Sequence, residues 1–347
     1  MKKSDKTIYI NGRFLTQRIT GVQRYGLEIL KKLISLNNFK YEILIPKEKE
    51  ITKSIKNISI RRIGLFGGHL WEQVELPLFL SNKKNFILLN LSNTSPIYVK
   101  NKISTLHDLA FYHHPEWFSK IFASFYNFLI PRILRTSQKI ITDSNYAKED
   151  IQKTYNVDKD KIVVAYPSVS DKFYNLENTK KDFFLTVGSL DPRKNLNRII
   201  KIFEELNINL KVVGGANLNF SGKVDKDKKK FIEFTGYLND EELLKEYNSA
   251  VAFIFPSYFE GFGMPIIEAQ KCGLPVISSN KTSMPEVGGS SCIYFDPHND
   301  QEIKTKIKKI YNDKVLRTEL KKKGFENVKK FSWHKSTLII EDMLRNL

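Results

Sequence analysis

Cysteine and long apolar runs are both scarce in this chain of 347 residues. The two cysteines, Cys272 and Cys292, lie in the second half and are typical of reduced thiols in a packed core. No run reaches the roughly 18 apolar residues that span a bilayer. The residues from Met1 to Lys6 lead into a strand-length run and lack the apolar core of a signal peptide. These absences predict a protein that stays in the cytoplasm.

Signatures of two other function classes are also missing. No predicted strand is followed by Gly-x-Gly-x-x-Gly with a downstream acid, which disfavours a nicotinamide-dependent dehydrogenase. Zinc spacing, an RNA-binding signature and a basic-aromatic array are absent, which disfavours nucleic-acid binding. The Asp-x-Asp strings at residues 158–160 and 225–227 lie in Lys-rich polar segments, so they predict solvated surface and no metal site.

Positive charge is abundant and unevenly distributed. The formal net charge is +18, and residues 1–174 hold 28 Lys and Arg against 15 Asp and Glu. A positive face attracts nucleic acid, anionic lipid or anionic small molecules, and charge alone does not choose among them. A Lys-rich solvated surface is the plain alternative. The 41% hydrophobic content is ample for real cores, and the length favours two domains.

The chemistry is expected in residues 250–275, where a strand breaks into a loop and a helix. Ala250–Phe255 is a short apolar run of strand length, and a proline and two glycines follow it. Pro265 suits a helix start, and Gly273 with Pro275 suits a helix end, so the helix has roughly two turns. Its free N–H groups and positive dipole end favour an anion.

Two carboxylates fall in this unit, Glu260 just before the helix and Glu268 inside it. Two acids at this spacing would by themselves describe a solvated helix face. However, Gly261 and Gly263 let the backbone approach a ligand without an intervening side chain. Together with the proline and the strand–loop–helix context, they favour a functional site.

These residues resemble the E-x7-E signature of the retaining glycosyltransferases of family 4, which have the GT-B fold. The resemblance is carried by three runs: Phe259-Glu260-Gly261-Phe262-Gly263-Met264-Pro265, Glu268-Ala269 and Cys272-Gly273-Leu274-Pro275-Val276-Ile277. It implies an α/β chain of two Rossmann-like domains whose parallel sheets face each other across a cleft. It also implies that Glu260 holds hydroxyls of the transferred sugar, that Glu268 binds ribose hydroxyls and that the loop between them contacts the donor.

Strand-length runs alternate with helical or loop stretches along the whole chain, which is typical of parallel sheets. Pro167–Lys181 is polar and lacks periodicity, and it predicts an interdomain linker. We therefore expect two domains, over residues 1–170 and residues 182–331, and the resemblance implies that the first binds the acceptor and the second binds the nucleotide sugar. The resemblance adds a last helix, residues 335–347, that packs back onto the first domain.

The first domain offers two site candidates. His107 follows a predicted strand, at the edge where ligands bind in open α/β sheets. The resemblance puts such a His beside the donor sugar and acceptor, although a lone His is commonly structural. Asp108 either orients this imidazole or, as we favour, caps the next turn. Gly21 opens a helix beside the first strand, and the resemblance makes it part of a loop facing the donor diphosphate; a plain turn glycine is the alternative.

The second domain begins with a strand that ends at Gly188, followed by Arg193 and Lys194 near a helix start. Cations are unfavourable at the positive end of a helix dipole, and a bound anion would offset that cost. The resemblance assigns both side chains to the donor diphosphate, although Ser189 stands where an Arg often follows the glycine. We expect Lys194 to be exposed and to contribute little to stability.

Three other loops of this domain have predicted roles. Asn195 is expected to cap the helix that follows it, and Ser283–Glu286 has the pattern of a capping box. Tyr237 and Leu238 follow a strand, and the resemblance sets them against the nucleotide base.

Residues 116–138 are aromatic and basic, with no acid after Glu116. One interpretation is a helix on a membrane surface, with Lys120, Arg132 and Arg135 meeting lipid phosphates. The equal alternative is a core-packing helix interrupted at Pro131. In the membrane interpretation the apolar contacts come from Trp117, Phe118, Phe122, Phe125 and Tyr126.

The resemblance implies a hexosyltransferase that moves a sugar from a nucleotide sugar to a glycan hydroxyl with retention, without a metal or other cofactor. Mannose from GDP-mannose is the first choice, because Thr20–Tyr25 and Asp191–Asn195 are similar to bacterial enzymes of O-antigen or capsule synthesis. UDP- or dTDP-linked glucose, galactose or rhamnose are alternatives, and nucleic-acid binding is a remote one. The acceptor would be a lipid-linked or lipopolysaccharide glycan, with the enzyme peripheral on the anionic inner face of the membrane.

Overall fold

The computed structural model describes residues 5–52, 55–177, 180–189, 191–214 and 230–347. The chain divides into two compact units. The first comprises Met1–Leu109, Ser124–Pro167 and Trp333–Leu347, and the second comprises Ala110–Ala123 and Ser168–Ser332. The acidic string at residues 225–227, which we expected on the surface, lies outside the described residues.

Each unit is built around a parallel sheet. Among the described residues, the first sheet has seven strands in the order β3-β2-β1-β4-β5-β6-β7, and the second has six in the order β10-β9-β8-β11-β12-β13. The strands are β1 Thr7–Asn11, β2 Lys40–Pro46, β3 Ser59–Ile63, β4 Phe86–Asn90, β5 Lys102–Thr105, β6 Lys139–Thr142, β7 Ile162–Val164, β8 Phe184–Val187, β9 Leu210–Val213, β10 Ile232–Gly236, β11 Ala252–Phe255, β12 Val276–Ser279 and β13 Cys292–Phe295.

Helices connect the strands and cover the sheets. They are α1 Gly21–Leu36, α2 Gly68–Leu70, a π-helix at Trp71–Glu75, α3 Leu76–Ser81, α4 Ala110–His113, α5 Lys120–Thr136, α6 Asn145–Tyr155, α7 Leu196–Leu206, α8 Asp240–Ser249, α9 Met264–Lys271, α10 Met284–Gly288, α11 Asp300–Asn312, α12 Lys314–Val328 and α13 Trp333–Arg345. Strands covered on both faces are buried along their length, and Ile87–Leu89 of β4 and Ala252–Phe255 of β11 are accordingly all buried.

The core of the second unit forms where α7 and α11 pack on its sheet. Ile199 and Phe203 of α7 and Ile303 and Ile307 of α11 are fully buried together with Phe184 of β8. Their spacing of three or four residues gives each helix one apolar face, which explains why these sequences fold as amphipathic helices over the sheet.

Strand order reverses once in each sheet, and the two reversals locate the edges where ligands are expected. In the first sheet β1 and β4 are neighbours, with Thr7 level with Phe86. In the second sheet β8 and β11 are neighbours, with Phe184 level with Ala252. Open parallel sheets bind ligands at the carboxyl ends of the strands at such reversals.

The segment Ala110–Ala123 departs from the predicted first domain of residues 1–170, because the structure groups it with the second unit. Its aromatic residues explain the difference. Trp117 stacks on His114, with ring centroids 3.9 Å apart, and on Tyr258 at 6.4 Å. His114 also meets the edge of Phe259 at 5.9 Å. These rings attach the segment to the loop that precedes Glu260.

Helix α13 lies in the first unit and begins two residues before the predicted start at residue 335. Trp333 packs edge-to-face on Tyr25 at 5.8 Å, and the Ser336 hydroxyl donates to the Tyr166 carbonyl at 2.6 Å. The last helix therefore packs against α1, near the start of the chain, and adds buried side chains to the core of the first unit.

Helix α5 differs from one of the two interpretations of residues 116–138, the helix interrupted at Pro131, and the membrane-surface interpretation stays a prediction. The helix continues through Pro131 from Lys120 to Thr136, so the predicted interruption is absent. A proline forfeits a helical hydrogen bond, and burial of Ile130 and Ile133 on either side of it holds the turn in place. Ile121 and Phe128 remain exposed on the same helix. Along the described part of the chain, no helix combines the length and apolarity needed to cross a membrane.

Candidate active site

The loop between β11 and α9 is buried and strongly bent. Strand β11 ends at Phe255, α9 begins at Met264, and the connecting Glu260–Gly263 are all buried. Gly263 has φ +99°, a conformation that favours glycine, and it is the N-cap of α9. Met264 and Pro265 form the first turn and are half-buried. The predicted strand, loop and helix are present in the predicted order.

Glu260 forms a short ion pair with Lys194 at this sheet edge. The Lys194 Nζ lies 2.6 Å from Glu260 Oε1, and the two side chains are 14% and 9% exposed. Burial alone would raise the pKa of Glu260, but the charges of Lys194 and Arg193 outweigh it and hold that pKa below its ordinary value. Our expectation that Lys194 is an exposed cation is wrong, because a buried carboxylate requires it as a partner.

The loop after β8 directs both cations. Asp191 accepts a hydrogen bond from the Arg193 N–H at 2.9 Å and lies 3.4 Å from the Arg193 Nε. A Cβ at Gly188 would lie 3.4 Å from the Lys194 side chain, an ordinary van der Waals contact, so the space beside the lysine does not by itself require glycine. Asp191 is buried, and we did not predict its role.

Asn195 has a different role from the predicted helix cap. It precedes α7 with φ 56°, and its side chain makes no capping hydrogen bond. Its Nδ2 instead donates to the carbonyls of Pro256 and Pro297, each at 3.2 Å. The amide therefore ties the loops after β11 and β13 to the loop after β8.

The predicted capping box at Ser283–Glu286 is also wrong. The Ser283 hydroxyl makes no capping bond and donates to the carbonyls of Glu260 and Phe262, each at 2.9 Å. The neighbouring Thr282 hydroxyl accepts from the Glu260 N–H at 3.1 Å. Two residues after β12 thus hold the backbone on both sides of the Glu260 side chain.

Glu268 is buried on α9, where its Oε2 accepts a hydrogen bond from the Tyr247 hydroxyl at 3.1 Å. Phe262 packs edge-to-face on Phe331 at 5.3 Å, so its ring belongs to the core and only its backbone is available to a ligand. Gly261 is buried without a side chain. The two predicted carboxylates therefore differ in setting, because one is ion-paired and the other accepts from a neutral hydroxyl.

Tyr237 and Leu238 lie at the turn after the edge strand β10. Gly236 has φ +72° there, which turns the chain sharply. Tyr237 is 69% exposed and Leu238 is half-buried. In the sheet order, β9 separates this turn from Gly188 at the end of β8.

In the first unit, His107 is paired with a residue that we did not predict. Its Nδ1 lies 2.8 Å from Asp143 Oδ2, and both side chains are buried. Burial would lower the pKa of His107, but the Asp143 carboxylate outweighs it and raises that pKa. Among the described residues the His107 Nε2 has no hydrogen-bond partner. Asp143, rather than Asp108, therefore orients the imidazole.

Gly21 is the first residue of α1 and is exposed. A Cβ added there would meet no atom within 4 Å, so the fold itself does not require glycine at this position. Its predicted role beside the donor remains a prediction.

A buried carboxylate also occupies the strand reversal of the first sheet. Glu72, on the π-helix, accepts from Asn11 Nδ2 and from the Thr94 hydroxyl, each at 2.7 Å, and lies 3.3 Å from Arg13 Nε. Burial would raise its pKa, but Arg13 and the hydrogen bonds lower that pKa to about 2. Sequence inspection missed this cluster because its members are far apart in the chain.

Two family matches cover adjoining parts of the chain. Residues 169–327 match the family described as Glycosyl transferases group 1, and residues 87–173 match Glycosyltransferase Family 4. The first match contains the Lys194–Glu260 pair, and the second contains His107 and Asp143.

The chain is also similar to characterised proteins. It is 28% identical over 266 residues to the O-antigen chain mannosyltransferase RfbU of Salmonella typhimurium, covering 75% of this chain and 74% of that protein. It is 25% identical to the O-antigen chain mannosyltransferase B of Escherichia coli, covering 92% and 94%. The structure of Anabaena Alr3699/HepE in complex with UDP and glucose matches it with a TM-score of 0.73 and 13% identity, covering 99% and 100%. Residues 87–327 therefore carry the group 1 and family 4 glycosyltransferase domains, and the two parallel sheets are those of the GT-B fold.

Proposed function

We propose that this glycosyltransferase moves mannose from GDP-mannose to a hydroxyl of a growing O-antigen or capsule glycan, with retention at the anomeric carbon. The observation that carries the proposal is the Lys194–Glu260 pair at the strand reversal of the second sheet, 2.6 Å apart and largely buried. It sets a cation and a carboxylate side by side, one suited to a leaving phosphate and the other to sugar hydroxyls.

Lys194 and Arg193 supply the positive charge that a departing diphosphate requires. Charge aimed in advance at a developing anion in a low-dielectric site stabilises the transition state. Asp191 restrains Arg193, and the Glu260 carboxylate restrains Lys194. We propose that these two cations act without a metal, and transfer that persists in EDTA is the expected result.

Glu260 is better suited to holding hydroxyls than to attacking carbon. One of its oxygens is held by Lys194, and its pKa is lowered by the neighbouring cations. A carboxylate stabilised in this way is a weaker nucleophile. We therefore propose the front-face route, in which the leaving phosphate takes the proton of the acceptor hydroxyl, over a covalent glycosyl-Glu260 intermediate.

His107 is proposed to donate from Nε2 to a sugar hydroxyl. Asp143 holds Nδ1 and raises the pKa of the ring, which favours a protonated imidazole with a donor at Nε2. An imidazole whose orientation is fixed by a carboxylate loses little freedom when it binds a ligand.

The donor and acceptor are proposed from the relatives. RfbU and mannosyltransferase B are both named O-antigen chain mannosyltransferases, which favours mannose carried by GDP and a lipid-linked or lipopolysaccharide acceptor. The HepE complex contains UDP and glucose, and UDP-glucose is accordingly the second candidate donor. An acceptor of this kind would bring the enzyme to the inner face of the membrane as a peripheral protein.

A thermal-shift panel of nucleotide sugars tests the donor directly, because a bound ligand raises the melting temperature by mass action. GDP-mannose is expected to give the largest shift, ahead of UDP- and dTDP-sugars. The anomeric configuration of the product, read by NMR, tests retention. A shift produced by UDP-glucose alone would overturn the mannose assignment, and an inverted product would overturn the mechanism.

The division of roles between the two carboxylates is tested by a pair of substitutions. Glu260→Gln should remove most turnover while leaving the affinity for the bare nucleoside diphosphate nearly unchanged, since its proposed partners are sugar hydroxyls. Glu268→Gln should instead weaken binding of that diphosphate by roughly tenfold, the loss of one good hydrogen bond to a charged group. Identical behaviour of the two variants in both assays would contradict the assignment.

A further inference from the structure

A row of large apolar side chains is exposed on the first unit, between the end of β3 and the end of α3. It consists of Leu65, Phe66, Leu70, Val74 and Leu78, with exposed fractions of 68%, 51%, 51%, 43% and 65%. We call these five residues the apolar ridge. Contiguous exposed apolar surface of this kind marks a site of interaction with a protein or a membrane.

The ridge is one face of an amphipathic helical segment. Leu70, Val74 and Leu78 follow one another at intervals of four residues along α2, the π-helix and α3. The opposite face holds Trp71 and Leu76, which are fully buried in the core of the first unit. The segment is therefore anchored from one side, and its apolar residues on the other side are directed away from the core.

The loop at the start of the ridge is held in place by a buttressing carboxylate. Glu75 accepts hydrogen bonds from the backbone N–H groups of Leu65 at 2.6 Å and Phe66 at 3.0 Å. Gly64, with φ +73°, makes the turn, and a Cβ there would collide with the Glu75 carboxylate. Leu65 and Phe66 are thus presented outward by a fixed backbone, so binding through them costs little ordering entropy.

The surroundings of the ridge are basic, which indicates the chemistry of its occupant. Exposed or half-buried cations flank it in sequence on both sides: Lys47, Lys49, Arg61, Arg62, Lys83 and Lys84. Lys49 is spatially close, because its Cε lies 3.6 Å from a Cβ built on Gly67. The acids of the same stretch that are exposed or half-buried, Glu48, Glu50 and Glu75, are outnumbered, although Arg61 is itself paired with Glu42. Apolar side chains within a rim of cations match an anionic lipid surface.

We propose that the apolar ridge enters the headgroup region of an anionic bilayer and that its flanking lysines and arginines contact lipid phosphates. This inference rests on the proposed function in one respect: a lipid-linked acceptor would explain why the enzyme binds a membrane. It differs from the predicted site at residues 116–138. Ile121 and Phe128 are exposed there, but Trp117 stacks on His114 and Phe125 packs on His69 at 4.8 Å, so two of the rings predicted to touch lipid have partners inside the protein.

Vesicle co-sedimentation of the full chain tests the proposal, with phosphatidylcholine vesicles that contain or lack phosphatidylglycerol. The wild type should bind the anionic vesicles more tightly, and added salt should weaken this binding because it screens surface charge. Leu65→Ser/Phe66→Ser should weaken it by roughly tenfold or more, since two side chains lose their transfer from water. Both residues are exposed, so the melting temperature should not fall.

Two comparison variants sharpen the experiment. Leu338→Ser/Ile339→Ser removes two exposed apolar residues from α13, 42% and 41% exposed, on the same unit. It should bind vesicles like the wild type. Glu75→Ala keeps every ridge residue but releases the loop, and it should weaken binding by a few-fold at most. Hydrolysis of donor, measured without vesicles, should be unchanged by all of these substitutions, which separates failure here from failure of the proposed glycosyl transfer.

Three results would overturn the proposal. The first is equal vesicle binding by the wild type and Leu65→Ser/Phe66→Ser. The second is loss of binding only in Lys120→Gln/Arg132→Gln/Arg135→Gln, which would assign the membrane contact to α5. The third is a concentration-dependent dimer in sedimentation velocity that the ridge variant abolishes while vesicle binding persists, because the occupant would then be a second copy of the chain.

Discussion

Replacing Lys194 by methionine should both destabilise the second unit and slow transfer. The substitution keeps most of the length of the side chain but leaves Glu260 without the cation 2.6 Å away. Removing one partner of a buried ion pair costs about 3–5 kcal/mol. Because the two side chains here are 14% and 9% exposed, we expect the lower end, about 3 kcal/mol. For a unit of this size that corresponds to a fall of roughly 6–12 °C in melting temperature.

The pH dependence of this loss identifies its cause. In the wild type the pKa of Glu260 is lowered, so the pair stabilises the fold above the unfolded pKa of about 4.3, and this stability is lost as pH falls through the folded pKa. In Lys194→Met the strongest opposing charge is lost and only Arg193 and hydrogen bonding still oppose burial, so the pKa of Glu260 is higher than in the wild type and the carboxylate contributes less stability at neutral pH. The two melting temperatures should therefore differ most near neutral pH and converge in acid.

Thermal unfolding across a pH series, with Lys211→Met as a control, checks this reasoning. Lys211 is also 14% exposed and lies 3.0 Å from Glu246 and 3.3 Å from Glu233, but those carboxylates are 22% and 64% exposed. They can rehydrate, so the control should lose only about 0–1 kcal/mol. The kcat of Lys194→Met should fall by about 100-fold or more, as for other lost contacts to developing charge. A fall in melting temperature no larger than that of the control would refute the argument.

Other predictions concern the residues around the two sites. Asp143→Asn should lower the pKa of His107, and an NMR titration of the ring would show this. The raised pKa of His107 in the wild type stabilises the fold below the unfolded pKa of about 6.5, and that stability is lost as pH rises through the folded pKa. The variant should therefore lose stability chiefly below about pH 6.5. Trp117→Ala should lower kcat by roughly tenfold with little change in nucleotide affinity, since its ring packs on Tyr258 two residues before Glu260. Phe118→Ala is its control, because Phe118 stacks on Phe122 at 5.2 Å; an equal loss there would contradict a positioning role for Trp117.

Local sequence was sufficient to predict those elements whose conformation depends mainly on their own residues. The strand predicted at Ala250–Phe255 is present as β11 at Ala252–Phe255, because this compact apolar run is ended directly by a proline. The loop at Glu260–Gly263 was likewise predicted, since its glycines and proline limit the backbone directly.

The polar contacts of the site were not predictable in this way. Asn195 and Ser283 each precede a helix, and local propensity therefore predicts caps, yet both side chains bond to carbonyls from distant loops. The His107–Asp143 pair joins residues 36 positions apart. It depends on β5 and β6 being neighbours, and a search for polar residues at the ends of adjacent parallel strands would have found it.

Both strand reversals hold a buried carboxylate beside a cation, but the two pairs differ in role. The pairs are Glu72 with Arg13 in the first unit and Glu260 with Lys194 in the second. Glu72 is fully buried and accepts from Asn11 and Thr94 as well, so its oxygens are committed to neighbouring loops. Glu260 retains 7% of its surface, and two loop residues hold its backbone rather than its carboxylate. Because the loop residues bond to the backbone of Glu260, its carboxylate can still accept hydrogen bonds from a ligand. We therefore expect substitution of Glu72 to affect mainly stability and substitution of Glu260 to affect mainly turnover.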